Sequence, residues 1–338
     1  MTGRERRPVT IYEVADRAGV SIATVSRALR GSDLVAAATR LRVRQVAEEL
    51  RFRPSGAGRA LAEGQHAANG IVFPDLSGPY YAEVVLGYEE VVAELGRSVL
   101  ILATNGRANA AETALELAGR VDGMVIMGRT VGDDVVARIA DTGVPLVLLA
   151  RQQVGPIDTV TADNADSARA LTEHLLAHGH RDIAFLGDPG ESPDVAGRYA
   201  GFRAALGATA PPPTPCAFDV NAGHAAATAL LRESRPDAIF CANDEVALGA
   251  LRAAEDSGRP DLALTGWDDI MAAHYARLTT VHQSMRDLGA TAARWLDERI
   301  RGSTAPVRHA VLPTRLVIRA SCGPHDETND QTDPGGTQ

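Results

Sequence analysis

Four polar or aromatic side chains follow strands of an α/β pattern and a fifth begins a helix, and together they could bind a small polar molecule. They are Tyr80 and Tyr81 after GIVFP, Asn243 after IFCA, Asp268 after LALTGW, and Arg198 at the start of RYAGF. Arginine, asparagine and aspartate offer donors and acceptors for vicinal hydroxyls, and an aromatic ring can stack on a sugar ring. The set predicts a ligand site, and the alternative for each polar residue is a cap on its own loop.

Sequence features of enzymes are missing from the same regions. There is no GxSxG turn, no Walker sequence and no GxGxxG after a strand. His174, His178 and His180 have spacing that could place two metal ligands on one helix face, but the same residues also fit the end of a structural helix. We therefore expect no catalysis, no cofactor and no metal.

The elements that must position the candidate ligand residues alternate between strand and helix. Aliphatic segments such as GIVFP, SVLILAT, GMVIM and PLVLLA alternate with helical stretches, and the pattern restarts after Asp163. This alternation predicts an α/β fold with two parallel, doubly wound sheets that carry helices on both faces. Two such lobes leave a cleft between the carboxyl ends of their strands.

The N-terminal segment has the pattern of a helix-turn-helix. Thr10 and Glu13 form a capping box, so a helix is predicted to begin at Ile11. Gly19 suits a turn with positive φ, and Ser21 can cap a second helix. A third amphipathic helix is predicted over residues 36–50, with Val43, Val46, Ala47 and Leu50 facing inward.

The predicted exposed face of the second helix has the chemistry of a DNA-reading surface. Short hydroxyls suit phosphate oxygens, Arg27 suits a guanine edge, and Ile22 suits a thymine methyl. Together with two residues of the first helix, the expected DNA contacts here are Thr10, Tyr12, Ser21, Ile22, Ala23, Thr24, Ser26 and Arg27. The alternative is a three-helix bundle with an incidental basic surface.

The charge of the chain is divided between its two ends. Residues 1–61 carry 12 arginines and 6 acids, whereas residues 62–338 carry 22 arginines and 37 acids, so a basic head precedes an acidic body. The head can bind a polyanion although the whole chain has a net charge of −9. No apolar run is long enough for a membrane span or a signal peptide, and three scattered cysteines favour a reducing cytoplasm.

The sequence resembles the lactose-repressor (LacI/GalR) family of bacterial transcription regulators over residues 8–320. The motifs that carry the resemblance are VTIYEVADRAGVSIATVSRALRGS, RPSGAGRAL, VFPDLSGPYYAEV, RVDGMVIM, VTADNADSARALTEHLLAHGHRDIAFLG, GRYAGFRAAL, IFCANDEVALGAL, LTGWDDI and LTTVHQS. The resemblance implies a periplasmic-binding-protein-like sensor whose chain crosses three times between its lobes. It also implies effector contacts from Arg198 and Asp268, stacking by Phe218, and a further candidate in Asp75.

The resemblance gives the connector RPSGAGRAL the role of a hinge helix that forms on the operator. Leu61 would then wedge into the minor groove, with Arg59 beside it, and the alternative is a flexible linker with Leu61 docked on the sensor. Gly56 and Gly58 each disfavour a helix by about 1 kcal/mol relative to alanine. One departure concerns the ligand: Ala150 stands where relatives often carry an acid that sugar binders use, and this argues against an ordinary hexose.

These observations predict a transcriptional repressor that binds a palindromic operator as a homodimer and is controlled by a sugar or sugar derivative. The expected domains are a head (1–52), a hinge (53–64), a two-lobed sensor (65–323) and a disordered tail (324–338). The first lobe would comprise 65–161 and 284–308, and the second 162–283 and 309–323. The alternative function is a sugar-binding protein that does not bind DNA.

Overall fold

The structure is a computed structural model that describes residues 9–52 and 65–324. Contacts divide the chain into two compact units, with the boundary between His66 and Ala67. The predicted hinge, including Arg59 and Leu61, and the tail from residue 325 onward lie outside the described residues. The two units are described separately below as the head and the body.

Three helices form the described part of the head: α1 (Ile11–Ala18), α2 (Ile22–Leu29) and α3 (Ala37–Glu49). The capping box predicted for α1 is present, because Thr10 accepts from the Glu13 amide and the Glu13 carboxylate accepts from the Thr10 amide at 2.8 Å. Gly19 ends α1 with φ of +66°, a conformation that disfavours a side chain, and Ser21 caps α2. The predicted helix-turn-helix is therefore confirmed.

The head has a small aliphatic core. Its fully buried side chains include Val14 from α1, Val25 and Ala28 from α2, and Val43 from α3. Small alanines allow α1 and α2 to approach closely, and the branched valines fill the space between the three helices. The residues predicted to face inward in α3 do so, so the opposite faces are left for solvent or a partner.

The first lobe of the body contains a six-stranded parallel sheet. Its strands are β1 (Ala68–Phe73), β2 (Ser98–Ala103), β3 (Gly123–Met127), β4 (Leu146–Leu149), β5 (Asp158–Ala162) and β10 (His309–Leu312), in the spatial order β10-β5-β4-β3-β1-β2. Its helices are α4 (Pro79–Glu94), α5 (Ala110–Ala118), α6 (Asp133–Asp141) and α12 (Met285–Ile300). Two buried aliphatic clusters, one on each face, confirm the doubly wound arrangement.

The second lobe is built on a shorter parallel sheet. Strands β6 (Ile183–Leu186), β7 (Ala238–Cys241) and β8 (Ala263–Thr265) lie in that order, and β9 (Thr280–Gln283) pairs antiparallel with β11 (Thr314–Val317). The helices are α7 (Ala165–Ala177), α8 (Pro193–Leu206), α9 (Val220–Glu233), α10 (Asp244–Asp256) and the short α11 (Met271–Tyr275). Phe185, Phe202, Phe240 and Trp267 fill the core on one face of this sheet.

The chain crosses between the lobes three times, after β5, after β9 and after β10. One expected boundary is wrong. Residues 309–312, assigned from the sequence to the second lobe, form β10 and pair in parallel with β5, so the third crossing lies at Pro313. Arg308 fixes this register because its amide and guanidinium both donate to the buried carboxylate of Asp158.

Glycines allow the helix pairs of the body to pack with almost touching backbones. A Cβ atom at Gly289 of α12 would lie 2.0 Å from the Val84 carbonyl oxygen of α4, and one at Gly201 of α8 would lie 2.1 Å from the Ala165 carbonyl oxygen of α7. Helix α12 follows β9 of the second lobe in the chain, and this close packing against α4 holds it in the first lobe. In the stretches 9–52 and 65–324, no helix is both long and apolar enough to cross a bilayer.

Candidate functional site

The exposed face of α2 presents the side chains that the sequence predicted would read DNA. Ser21, Ile22, Ala23 and Arg27 are exposed, and 40% of the Ile22 surface is accessible. Leaving an isoleucine in water gains nothing for folding, so this position suits a hydrophobic partner such as a thymine methyl. Thr10 and Tyr12 of the neighbouring helix end are exposed as well.

Hydrogen bonds within α2 limit what its hydroxyl groups can offer. Ser21 Oγ accepts from the Thr24 amide at 3.1 Å, and the Ser21 and Thr24 hydroxyls share a further hydrogen bond of 2.9 Å. One hydroxyl proton of the pair therefore remains for a phosphate oxygen. Ser26 is half-buried, and its carbonyl oxygen accepts from Arg30 Nε. Arg27 is exposed on the same helix turn.

Arg198 is the centre of the polar cluster in the body. Its guanidinium is buried, donates to Asn164 Oδ1 (2.8 Å) and to the Ala242 carbonyl oxygen (2.6 Å), and lies 4.5 Å above the Trp267 ring. One carboxylate oxygen of Asp268 is 4.0 Å from Nη2. The structure thus brings together Arg198 and Asp268, the two residues that the sequence favoured most.

Asp268 lies in a backbone conformation that few aspartates adopt. Its φ is +110°, and that of the following Asp269 is +59°. Gln283 donates to Asp268 through Nε2 at 2.5 Å, while Asp269 accepts from Arg319 at 2.7 Å and lies 3.2 Å from His282 Nδ1. Backbone strain of this kind persists where surrounding contacts hold it, and it is concentrated at ligand sites.

A third carboxyl group, Asp194, was missed by the sequence reasoning. Asn164 Nδ2 donates to Asp194 Oδ1 at 3.0 Å, so Asn164 joins Asp194 to Arg198. Asp194 and Arg198 are four residues apart on α8, and this i, i+4 spacing was the available signal. Asn164 and Gln283 lie at the first and second chain crossings, directly after β5 and at the end of β9, so two crossings contact the cluster.

Burial controls the ionisation of this cluster. Desolvation raises the pKa of Asp268 to about 7, although the Arg198 charge and the Gln283 hydrogen bond act in the opposite direction. Desolvation also raises the pKa of Asp194, with Arg198 and Asn164 opposing it. Each carboxyl group therefore holds its proton more firmly than an aspartate in water, because the ionised form loses hydration.

The aromatic candidates line the same region. Tyr80 and Tyr81 begin α4, their rings meet edge to face at 5.3 Å, and Tyr81 stacks on Phe73. The Tyr80 hydroxyl oxygen is buried without a hydrogen-bond partner among the described residues. Burial raises the pKa of Tyr80, and the charges of Asp194, Asp268 and Arg198 also act on it. Phe218 is half-buried against the aromatic core.

Two other predicted ligand-binding residues, Asp75 and Asn243, form hydrogen bonds within their own loops or helix ends. Asp75 accepts from the Ser77 amide (2.9 Å) and from Asn105 Nδ2 (2.9 Å). Burial opposes ionisation of Asp75, but these hydrogen bonds outweigh it and lower the pKa. Asn243 Oδ1 accepts from the Val246 amide at 2.9 Å and caps α10. Both residues lie at strand ends, yet their observed contacts match the loop-capping alternative.

Arg151 and the histidines also have structural partners. Arg151 is buried, pairs with Asp133 and donates to the Val131 carbonyl oxygen at 3.2 Å, so its charge is held within the first lobe. His178 Nδ1 contacts the His174 carbonyl oxygen at the end of α7. Over the described ranges, no group of histidine, cysteine and acidic side chains could hold a metal ion.

Models of known protein families match both the head and the body of the chain. A family described as "Bacterial regulatory proteins, lacI family" matches residues 10–55, and a "Periplasmic binding protein-like domain" matches residues 172–322. The catabolite control protein A of Priestia megaterium is 33% identical over 93% of this chain and 99% of its own length. The transcriptional regulator CelR of Thermobifida fusca is 34% identical over 94% of this chain and 99% of its own length.

Solved structures agree with these sequence matches. The lac repressor dimer bound to operator and the anti-inducer ONPF has a TM-score of 0.80 and 30% identity, covering 94% of this chain and all of that one. The CelR–cellobiose complex has a TM-score of 0.69 and 31% identity, covering 93% of this chain and all of that one.

A helix-turn-helix head and a two-lobed body with a polar cleft define a ligand-responsive regulator that binds DNA. The extent of the matches makes the assignment specific, since relatives at 33% and 34% identity align over nearly the whole chain. The chain belongs to the LacI family of bacterial transcriptional regulators.

Proposed function

We propose that this regulator is a repressor that binds a palindromic operator as a homodimer and changes its operator affinity when a sugar or sugar derivative enters the cleft. The observation that carries the proposal is the exposed end of α2, where Ile22, Ala23 and Arg27 project from a basic head that is attached to an acidic ligand-sensing body. A two-fold protein reads a two-fold site.

The DNA half of the proposal rests on the chemistry of the head. Arg27 would bind a guanine edge, Ile22 a thymine methyl, and the Ser21–Thr24 hydroxyl pair a phosphate. The lac repressor structure that this chain resembles contains a dimer on its operator. In this chain, Met271 and Tyr275 on α11 are 76% and 79% exposed, and large apolar side chains of this kind suit a contact between subunits.

The sensing half rests on Arg198, Asp268 and the two tyrosines at the cleft. Similar proteins have been solved with cellobiose and with ribose. A ligand that binds one lobe orientation better than another shifts the protein toward that orientation, and operator affinity must differ between the two. Asn164 and Gln283 connect the polar cluster to two of the chain crossings, so a ligand that alters these hydrogen bonds acts directly on the segments that join the two lobes.

The remaining proposals concern organisation and location. The head would extend over residues 1–52 and the hinge over 53–64, with Arg59 and Leu61 contacting the minor groove. The sensor would extend over 65–323, and the predicted tail lies outside the described residues. We propose no enzymatic activity and a location in the cytoplasm, as expected for a regulator that must reach chromosomal DNA.

Footprinting on the DNA upstream of the protein's own gene tests the operator proposal. We expect protection of two half-sites related by two-fold symmetry, together with a protein mass of a dimer in solution. Protection of a single asymmetric half-site by a monomer would contradict it.

Arg198→Ala tests the site assignment. Because Arg198 lies in the body, operator binding should persist, while the response to the effector should be lost. The control Arg203→Ala removes an arginine from the outer face of the same helix, where it is exposed, and should respond normally. A normal effector response in Arg198→Ala would show that the site is assigned wrongly.

A further inference from the structure

The cleft holds more acidic than basic groups. Asp194 and Asp268 lie beside Arg198, and the charges of Asp75 and Glu245 reach the same region, because Asp75 acts on Tyr81 and Glu245 acts on Asp268. Two carboxyl groups, Asp194 and Asp268, therefore lie beside one guanidinium, and Asn164 links Asp194 to it. Arg151, a further buried cation of the first lobe, is directed to Asp133 and the Val131 carbonyl oxygen.

The donors of Arg198 are largely occupied. Nε donates to Asn164, Nη1 donates to the Ala242 carbonyl oxygen, and Nη2 faces Asp268. The face of the guanidinium is covered by the Trp267 ring. A phosphate or carboxylate on a ligand would have to displace these partners, and it would meet the neighbouring carboxyl groups at close range.

Acceptors, in contrast, remain available. Gln283 is 1% exposed, its Nε2 donates to Asp268, and its Oε1 has no partner among the described residues. The buried Tyr80 hydroxyl, which can both donate and accept, also has no partner among the described residues. Glu245 Oε2 lies 2.6 Å from the position of a Cβ atom at Gly78, so this carboxylate of the second lobe reaches the first lobe where α4 begins. Gln283 Oε1 and the carboxyl groups therefore form a set of acceptors, whereas the buried Trp267 Nε1, a donor without a partner among the described residues, would suit a hydroxyl oxygen of the same ligand.

We propose that the effector carries a protonated amine in addition to its hydroxyl groups, as amino sugars do, and that the amine binds between Asp194, Asp268 and Gln283 Oε1. An ammonium group supplies three donors and no acceptor, which complements this set. The ammonium charge would favour the ionised forms of Asp194 and Asp268, and its charge-assisted hydrogen bonds to them would be stronger than those of a hydroxyl in the same place. This inference rests on the proposed function, because it assigns a ligand class to the same cleft.

The test is a set of matched ligands that differ at one substituent. Each of glucose, galactose, mannose and cellobiose is compared with its amino counterpart, the N-acetylated form of that amine and, for the hexoses, the 6-phosphate. N-acetylation keeps the nitrogen but removes its charge, so it separates charge from shape. Binding is measured on the full chain by thermal shift and tryptophan fluorescence, and operator release is measured in parallel by fluorescence anisotropy.

We expect at least one amine to bind tenfold or more tightly than its parent sugar, its N-acetylated form and its phosphate, and to change operator affinity. Tightest binding by a neutral sugar or by a phosphate would overturn the proposal, as would no binding by any amine. Thermal shift does not require DNA, so the amine preference can fail while operator binding persists, and the regulator assignment then stands.

Asp194→Asn provides the matched variant. It keeps the oxygen that accepts from Asn164 but removes the charge, so the preference for the amine over the neutral parent should fall about tenfold. Asp261→Asn, an exposed acid on the same lobe, should keep the preference of the unmodified protein. An unchanged amine preference in Asp194→Asn would contradict the proposed placement of the amine.

Discussion

Replacing Asp268 by asparagine isolates the cost of ionising a buried carboxyl group in the cleft. Asparagine has nearly the same shape, and its Oδ1 can still accept the hydrogen bond from Gln283 Nε2. Since the substitution removes the titrating group, the difference in stability between Asp268→Asn and the unmodified protein should depend on pH. The other titrating groups are shared by both proteins and largely cancel in this difference.

The size and sign of this difference in stability follow from the pKa of Asp268. Burial raises it from 3.8 to about 7, so the folded state keeps this proton at pH values where the unfolded state has lost it. The contribution of Asp268 to stability is therefore present at low pH and declines as the pH rises from about 4 to 7. Between pH 5 and pH 8 the unmodified protein should lose about 2–3 kcal/mol relative to Asp268→Asn, at 1.36 kcal/mol per pKa unit.

Tryptophan fluorescence during urea unfolding can measure this difference. The chain has two tryptophans, and Trp267 is fully buried beneath Arg198, so Trp295→Phe leaves a single reporter in the second lobe. Asp268→Asn is compared with its parent in this background at pH 5 and pH 8. Asp261→Asn, which is exposed, serves as the control and should show a difference close to zero at both values. An Asp268→Asn difference that is the same at pH 5 and pH 8 would refute the reasoning.

Three further substitutions have clear expected outcomes. Gly289→Ala would push a Cβ atom against the Val84 carbonyl oxygen and should lower the free energy of unfolding by about 1–3 kcal/mol in urea titrations, whereas Arg294→Ala on the exposed side of the same helix should have little effect. Arg27→Ala should weaken binding to the correct operator by about 1–3 kcal/mol and relax base preference at one position; equal weakening on all DNA sequences would contradict a base contact. Gly58→Ala, in the hinge outside the described residues, should tighten operator binding by up to about 1 kcal/mol and reduce effector-induced release, and unchanged affinity would count against a hinge helix.

The sequence predicts most of the fold because its signals are local. The capping box of Thr10 and Glu13, the turn glycine at position 19 and the aliphatic runs of β1, β3 and β4 each depend on a few neighbouring residues. The strands that were not anticipated, β5, β9, β10 and β11, are short and carry polar residues. Their positions depend on pairing between distant segments, as when β10 joins β5, so no local pattern reveals them.

The cleft was predicted only in part, for a similar reason. Arg198 and Asp268 could be identified from motifs, but Asn164, Asp194 and Gln283 join them only after three separate segments are folded together. Asp75, in contrast, was a candidate by position, and its carboxylate is held by Ser77 and Asn105. A strand end shows where a site can form, whereas the hydrogen-bond partners decide which side chains remain available to a ligand.

Binding to DNA from the upstream region of the protein's own gene, titrated with salt, tests the central claim most directly. The account predicts a specific complex at low salt whose affinity falls linearly with the logarithm of salt concentration, because arginines of the head displace counterions from phosphates. It also predicts that the same complex releases DNA, or binds it more tightly, when a ligand of the cleft is added. The absence of any complex at low salt would contradict the regulator function.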